Sequence, residues 1–249
     1  MIQHISAVVL AKNNELTIQN TLQALESFND VIVYDNGSTD STMKIARSFQ
    51  NVNLIQGEFK GFGWSKNEAI SFAKHDWIIV VDSDEVIDQE LLDTLNKTIL
   101  DKQVVYKLNF KAYYKDIQIK HCGWSNHKRN RVFNKMVTKY NNNQVHEDII
   151  TNGLNSKILS GNIHHYSYQS ISQFIHKIDL YSSLFAKNNM GKRTSSPLLA
   201  LSNALYTFIR IYFFRLGILD GYAGLLVSFS AATVNFYKYL KLYEANKDL

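Results

Sequence analysis

The chain has one cysteine and one proline in 249 residues, and it has no glycine-rich phosphate loop. Each scarcity removes a class of protein. Cys122 alone cannot make an internal disulfide, so a disulfide-stapled secreted scaffold is excluded; a reducing cytoplasm is the natural compartment and a buried, inert thiol the natural role. Met1-Ile2-Gln3-His4 runs directly into a strand pattern without the basic and apolar regions of a signal peptide, which gives no expectation of export. No Gly-x-Gly-x-x-Gly follows the first strand and no Gly-x-x-x-x-Gly-Lys-Ser/Thr is present, which removes dinucleotide-fold and P-loop readings. The net charge of +5 comes without a helix-turn-helix, zinc-finger or aromatic ribonucleoprotein pattern, so nucleic acid is not the expected partner. No run reaches the roughly 18 uncharged apolar residues of a spanning helix, and there is no internal repeat or low-complexity tract.

What is present is a core-forming composition, 45% hydrophobic, arranged in alternating strand and helix patterns over the first 100 residues. Ile5-Ser6-Ala7-Val8-Val9-Leu10 reads as a first strand, Val31-Ile32-Val33-Tyr34 as a second, Val52-Asn53-Leu54-Ile55 as a third and Trp77-Ile78-Ile79-Val80-Val81 as a fourth. Between them Ile18, Leu22 and Leu25 mark one helix face, and Thr42, Ile45, Ala46 and Phe49 another, with Asp40 or Ser41 as N-cap. A helix through Asn67 to Ala73 precedes the fourth strand. Leu91, Leu92, Leu95 and Ile99 give a later helix its buried face. This alternation implies an α/β fold with a parallel, right-handed, doubly wound sheet.

Residues 1 to 100 hold 7 Lys/Arg and 14 Asp/Glu, net −7; residues 101 to 249 hold 20 and 8, net +12. The basic half also changes pattern. Val104, Tyr106, Leu108, Phe110 and Ala112 alternate with Lys107, Asn109 and Lys111 in a strand with one wet face, so this half is expected to be mixed, with antiparallel strands. Residues 101 to 140 carry ten Lys/Arg against two acids. A long helix is expected from Ser170, with Ile171, Phe174, Ile175, Ile178, Tyr181 and Phe185 inside. Pro197 after Ser196 opens an apolar helix as an N1 proline after an N-cap, and Asp220-Gly221 breaks it from a second, about Tyr222 to Tyr243. Between Met190 and Lys241 stand six Lys/Arg and one acid, Asp220. That bias favours an anionic membrane interface, with a buried hairpin or a dimer surface as the alternatives. Three regions are therefore expected: 1–100, 101–190 and 191–249.

In an open α/β sheet, ligands bind at the carboxyl ends of the strands. Those ends here are Ala11-Lys12-Asn13-Asn14-Glu15, Asp35-Asn36-Gly37-Ser38-Thr39-Asp40 and Asp82-Ser83-Asp84-Glu85. Each has a plain alternative as turn or helix cap. Together they place acids from separate segments in one crevice, where Asp82-Ser83-Asp84 suits a divalent cation completed by phosphate oxygens. Lys66, at the start of a helix after Gly61-Phe62-Gly63, suits an anion contact, or is simply a solvated helix residue.

These segments, continued in Gly123-Trp124, Arg131-Val132-Phe133, Val145-His146-Glu147, His165-Tyr166-Ser167-Tyr168, Gly191-Lys192-Arg193, Leu219-Asp220-Gly221 and Lys238-Tyr239-Leu240-Lys241-Leu242-Tyr243, run in order over nearly the whole chain. In them the chain resembles the family-2 glycosyltransferases of GT-A fold, and among these the lipopolysaccharide core β-1,4-glucosyltransferases. The resemblance implies a nucleotide-sugar-binding half (1–100), an acceptor-binding half and the apolar helical appendage. It implies that Ala11, Asn13 and Glu15 line a nucleoside pocket, Asp35 bonds the base, Lys66 meets base or phosphate, Asp82 meets the ribose, and Asp84 holds Mg²⁺ or Mn²⁺ with His165. Adjacent His164 competes with His165 for that role. Glu147 is the expected general base, with Asp148 as alternate. Trp124, Arg131 and His146 fall to the acceptor side, Trp124 as a sugar platform or a core residue. An Asp that the family often carries after Gly-Trp is replaced here by Ser125-Asn126-His127, which removes one candidate acid.

The implied activity is inverting transfer of a hexose, glucose first, from a UDP-sugar to an inner-core heptose of lipopolysaccharide. The enzyme would be cytoplasmic and peripheral on the inner membrane face, with an anionic lipid-linked acceptor and possible homo-oligomers. The same family acting on another polysaccharide or a protein, a nucleotidyltransferase and a non-catalytic nucleotide-sugar binder are the alternatives.

Overall fold

A computed structural model describes residues 2–124, 127–143 and 147–247. In chain order the elements are β1 (Ile5–Ala11), α1 (Ile18–Ala24), β2 (Val31–Asp35), α2 (Thr42–Ala46), β3 (Val52–Gln56), α3 (Phe62–Ser71), β4 (Trp77–Asp82), β5 (Glu85–Ile87), α4 (Gln89–Lys97), β6 (Val104–Tyr114), β7 (Ile117–Ile119), β8 (His127–Asn134), β9 (Asn155–Tyr168), α5 (Ile171–Asn189), α6 (Pro197–Ile209) and α7 (Gly221–Lys247). A π-helical turn (Arg210–Phe214) and a 3₁₀ turn (Gly217–Asp220) join α6 to α7. The chain forms two compact units that interleave in sequence, 1–110 with 126–165, and 111–125 with 166–249. The division expected at residues 100 and 190 does not express this interleaving.

In the first unit, β1 is buried along its whole length and lies between β2 and β4 in parallel register. β-branched and aliphatic side chains on both faces suit a strand covered by helices on each side. Ala11 pairs with Asp35 and Leu10 with Asp82, so the carboxyl ends of all three strands reach one edge, as expected. The sheet order is β3-β2-β1-β4-β8-β6-β9-β5. β8 joins β4 antiparallel, Ile79 opposite Val132, and therefore starts from the edge where β4 ends. The mixed, antiparallel character expected after residue 100 is present. Helix α3 starts earlier than residue 67, at Phe62. Gly63 permits its close packing: a Cβ there would run into the Asn141 carbonyl oxygen, and Asn67 bonds the Tyr140 backbone at both N–H (3.0 Å) and carbonyl (2.9 Å). Leu91 and Leu95 are buried as expected, but Ile99 is 96% exposed because α4 ends at Lys97 and Thr98 is already extended.

In the second unit, α7 packs against both α5 and α6. Pro197 occupies N1 of α6, and the Ser196 hydroxyl accepts from the Leu199 N–H at 3.1 Å, as the sequence predicts. The inner face of α5 is narrower than expected. Phe174, Ser182 and Ala186 are its buried residues, while Ile171, Ile175 and Tyr181 are exposed. Small side chains at an i+4 spacing allow a close helix approach and displace the larger ones from the contact. Cys122 is buried in this unit beside Asp220, and burial, then the Asp220 charge, push its thiol up to about 11. It stays a protonated, inert thiol at neutral pH. Although Arg210 interrupts the first and Lys238 the second, Pro197–Phe214 and Gly217–Lys247 are each long and apolar enough, by length and composition alone, to cross a membrane, which the length of the uncharged runs did not lead one to expect.

Candidate functional site

The parallel strand ends create the crevice, and the loops leaving them are fastened to one another. Asn13 adopts a positive φ of 54°, a region Asn tolerates better than most residues, and its carboxamide oxygen accepts from the Thr39 N–H at 2.8 Å. Glu15 accepts from the Ser41 N–H at 3.0 Å. Asp35 is fully buried, and its carboxylate accepts from the Gly37 N–H (3.0 Å), the Ser38 N–H (2.9 Å) and the Ser38 hydroxyl. These three residues hold the turns that shape the site. Ala11, Asp82 and Ser83 face the space itself, a cavity of about 410 Å³ also lined by Asn36 and by the half-exposed rings of Phe59 and Phe62, 5.0 Å apart.

A second cavity of about 480 Å³ is lined by Lys66, Asp82, Arg131, Tyr140, Glu147 and Asp148 together with Lys107, Lys128, Arg129 and Asn130. Asp82 lines both cavities. It is 36% exposed and held from the protein side by Arg131 at 2.8 Å and Lys66 at 3.4 Å. Burial disfavours its charge, but Arg131 and then Lys66 outweigh that and hold the carboxyl well below its ordinary value. Arg131 also meets Glu85 at 2.6 Å, and Glu85 accepts from the Asp82 N–H at 2.8 Å. Burial raises the Glu85 pKa, Arg131 opposes it and Asp82 reinforces it, with the balance at about 7. Arg131 is therefore the buried clamp of this corner, its own pKa raised against burial by Asp82 and Glu85.

Lys66 is only 4% exposed, so the solvated alternative does not hold. Its ammonium meets Glu147 at 2.7 Å. Burial would lower its pKa; Asp82, Tyr140 and Glu147 raise it above the ordinary lysine value. Asn67, one residue on, ties α3 to Tyr140, and this fixes the segment that leads to Glu147. Asp148 is adjacent, accepting from Asn130 Nδ2 at 3.2 Å.

On the other side of Asp82, Glu85 pairs with His165 across the β5–β9 ladder, which brings His165 Nε2 to 3.3 Å from Asp84 Oδ2. His164 points instead to Asp88, at 3.9 Å. Asp84 and His165 are each about a third exposed. Their oxygen and nitrogen fit two positions of a divalent cation, and among the described residues no group of three His, Cys, Asp or Glu completes one. A cation there would keep most of its positions for phosphate oxygens and water. Asp82 is less available than the Asp-x-Asp spacing suggested, because Arg131 and Lys66 occupy it.

Trp124 lies in the second unit with its ring stacked on Tyr168, centroids 5.7 Å apart. His146 lies outside the described residues. Glu85, Tyr140, Asn130 and the Phe59–Phe62 pair received no role from the sequence. Glu85 had a usable signal, since it closes the Asp82–Glu85 segment, and the two rings stand out among Gly57, Gly61 and Gly63 at the start of α3.

The profile of glycosyl transferase family 2 matches residues 6–161, which include every residue lining the two cavities, though not His165. The chain belongs to this family, and its sheet is of the GT-A type. It is 29% identical over 255 residues to a glycosyltransferase of Rickettsia typhi, covering 96% of this chain and 87% of that one. To the lipopolysaccharide core biosynthesis glycosyltransferase LpsC of Rhizobium meliloti it is 24% identical over 250 residues, covering 96% and 92%. Among solved structures it is similar to S. aureus TarS in complex with UDP, with a TM-score of 0.49 and 14% identity over 99% of this chain and 92% of that one.

Proposed function

We propose that this glycosyltransferase moves a hexose, glucose first, from a UDP-sugar to an inner-core saccharide of lipopolysaccharide or lipooligosaccharide, with heptose as the expected acceptor sugar and inversion at the anomeric carbon. One observation carries the reading: a nucleotide-sized cavity and a second, basic cavity meet at Asp82, with the Lys66–Glu147 pair on the second side and Asp84–His165 close by. The similarity to LpsC supports the lipopolysaccharide assignment.

In this reading the Phe59 and Phe62 rings receive the nucleobase, which needs a π-face and little else. Asp82, held rigid by Arg131, accepts from the ribose. Lys66 orients Glu147 through Oε1, and the other carboxylate oxygen takes the proton from the acceptor hydroxyl as it attacks. Asp84 and His165 would hold Mg²⁺ or Mn²⁺, which supplies positive charge against the leaving diphosphate. The enzyme works on the cytoplasmic membrane face, to which the second unit's apolar helices would bind it.

The test is a panel of nucleotide sugars with deacylated lipopolysaccharide oligosaccharides, reading nucleoside diphosphate release and the anomeric configuration of the product. UDP release that depends on a saccharide acceptor, with inversion, is expected. Pyrophosphate release would identify a nucleotidyltransferase, and tight binding without turnover a nucleotide-sugar binder.

A further inference from the structure

The second unit holds a cavity that the transfer reading does not use. It has a volume of about 250 Å³ and lies between α5 and α7, with mainly apolar walls. At one end Trp124 and Phe174 each stack on Tyr168, ring centroids 5.7 and 3.8 Å apart. Phe174, Ile178 and Tyr181 line it from α5, and Val227, Ala231 and Val234 from α7. Ser230 and Ala231 are small, so the helices leave a slot where larger side chains would close the seam. Water finds few hydrogen-bond partners in such a space, and an apolar ligand fills it better.

Farther along both helices the seam changes character. The α7 stripe Val227, Ala231, Val234 continues at helical spacing to Lys238, and the α5 stripe Phe174, Ile178, Tyr181 continues at the same spacing to Phe185. These two positions meet: Lys238 Nζ lies 4.9 Å from the Phe185 ring centroid and 5.1 Å from that of Tyr239. The turn after α5 is fastened to the same part of α7. Asn246 accepts from the Gly191 N–H at 2.9 Å and donates to the Arg193 carbonyl at 2.8 Å, and the Ser195 hydroxyl donates to the Tyr239 carbonyl at 2.6 Å. The Arg193 charge is thereby brought to Lys238, whose pKa is lowered by burial and then by that charge. Asp179 of α5 is taken by Lys241 at 2.6 Å, and neither Lys238 nor Arg193 has an ion-pair partner among the described residues. Two neighbouring cations without a carboxylate, one of them half-buried against two rings, call for an anion. The Gly191-Lys192-Arg193 and Lys238–Tyr243 segments, which have no part in transfer, thus give an apolar slot one basic end.

We propose that the α5–α7 seam binds one membrane phospholipid, with an acyl chain in the slot and the phosphate at Lys238 and Arg193. Val234 to Lys238 is about 6 Å along the helix and Ala231 to Lys238 about 10 Å, a span that a glycerol linkage bridges. Phosphate oxygens accept from an ammonium and a guanidinium fork together. A helix from another protein chain would fill the slot but leave both cations without an anion. The inference rests on the membrane-facing reading of this unit and goes beyond surface attraction to a site for a single lipid.

The experiment uses the full chain and a lysophosphatidylglycerol with a dibrominated acyl chain, kept below its critical micelle concentration so that no membrane is present. Bromine quenches tryptophan fluorescence on contact; Trp124 lines the slot, whereas Trp64 and Trp77 belong to the first unit. Saturable quenching at one lipid per chain is expected, and its loss in Trp124→Phe. Ala231→Phe, which fills the slot, and Lys238→Gln/Arg193→Gln, which removes the charge, should each raise the dissociation constant about tenfold to a hundredfold, with the circular dichroism of wild type. A brominated monoacylglycerol of the same chain, lacking the phosphate, should bind wild type and the charge variant equally, at least about tenfold more weakly than the lysolipid binds wild type. Quenching kept in Trp124→Phe, affinity kept in the charge variant, or equal wild-type affinity for the two lipids would overturn the site. The charge variant decides the matter if Ala231→Phe does not fold. Flotation with anionic vesicles but no one-to-one quenching removes the lipid site alone, whereas quenching without flotation keeps the site and removes the membrane-facing reading.

Discussion

The two units treat apolar and charged residues in opposite ways. In the first, β1, β2 and β4 bury their apolar side chains completely, and the charged groups gather at one sheet edge in a network of Asp82, Glu85, Arg131, Lys66 and Glu147. In the second, large apolar side chains remain outside: Leu198 is 76% exposed and Phe214 80%, with Leu205, Leu219 and Phe229 also exposed. Single exposed apolar side chains are ordinary on a soluble surface, but so many within two helices and their connection suit an interaction surface. Buried charge in one unit and exposed hydrophobicity in the other are both costly in isolation; under the proposed function a sugar nucleotide would offset the first and a lipid surface the second.

The largest effects should come from removing the charges proposed to act in transfer. Glu147→Gln keeps size and hydrogen bonding but cannot accept a proton, so turnover should fall by about 10² to 10⁴ while UDP-sugar affinity, read by calorimetry, barely changes. Wild-type turnover in that variant combined with loss in Asp148→Asn would move the base to Asp148. Asp84→Ala should likewise abolish transfer and metal-dependent UDP affinity while the melting temperature is kept, because a partly exposed carboxylate contributes little to stability.

Arg131→Ala tests the clamp rather than the chemistry. It leaves the buried Glu85 without its cation and Asp82 with Lys66 alone, and loss of one partner from such a group costs about 3–5 kcal/mol, measured as a lowered urea midpoint. The exposed Lys241–Asp179 pair of the second unit, 2.6 Å apart, is the contrast; Lys241→Ala should leave the midpoint where it is.

A flotation assay addresses the second unit directly. Full-length protein should rise with anionic vesicles at low salt and be partly released at high salt, since Lys192, Arg193, Arg210 and Arg215 are attracted by charge while the apolar residues are not. Phe214→Ser/Leu219→Ser should weaken the salt-resistant part. Protein that stays at the bottom of the gradient would show these helices to be a contact between protein chains.

The smallest effect concerns Asp88, the N-cap of α4, which accepts from the Leu91 N–H and from both Asn162 donors. Burial works against its charge, but the Asn162 bonds and then the Leu91 bond hold its pKa below the ordinary aspartate value. A group depressed in the folded state stabilises above the unfolded pKa of about 4, and the contribution is lost as pH falls through the folded value. Asp88→Ala should therefore cost about 0.5–2 kcal/mol at pH 7 and progressively less below pH 4 in chemical denaturation.

Much of the first unit was legible because short apolar runs alternate with helical periodicity, and because Asp35 and Asp82 end such runs. The roles of individual polar residues were less legible. Asp35 sits at the right strand end, yet two backbone N–H groups and a hydroxyl occupy its carboxylate. Arg131 stands in a strand whose alternation does not mark it as buried; only the antiparallel docking of β8 on β4 carries it to Asp82. The inner face of α5 was misread in part because period alone does not say which stripe a neighbouring helix will cover.

The sequence by itself determined the alternating α/β order, the acidic strand ends and the apolar C-terminal helices, since each depends on residues close together along the chain. Only the tertiary structure decided that Lys66 is buried against Glu147, eighty-one positions away, that Asp84 meets His165 rather than His164, and that Lys107 and Lys128 share a strand-pair face. Those pairings follow from sheet register and helix packing, which join segments whose local patterns carry no information about each other.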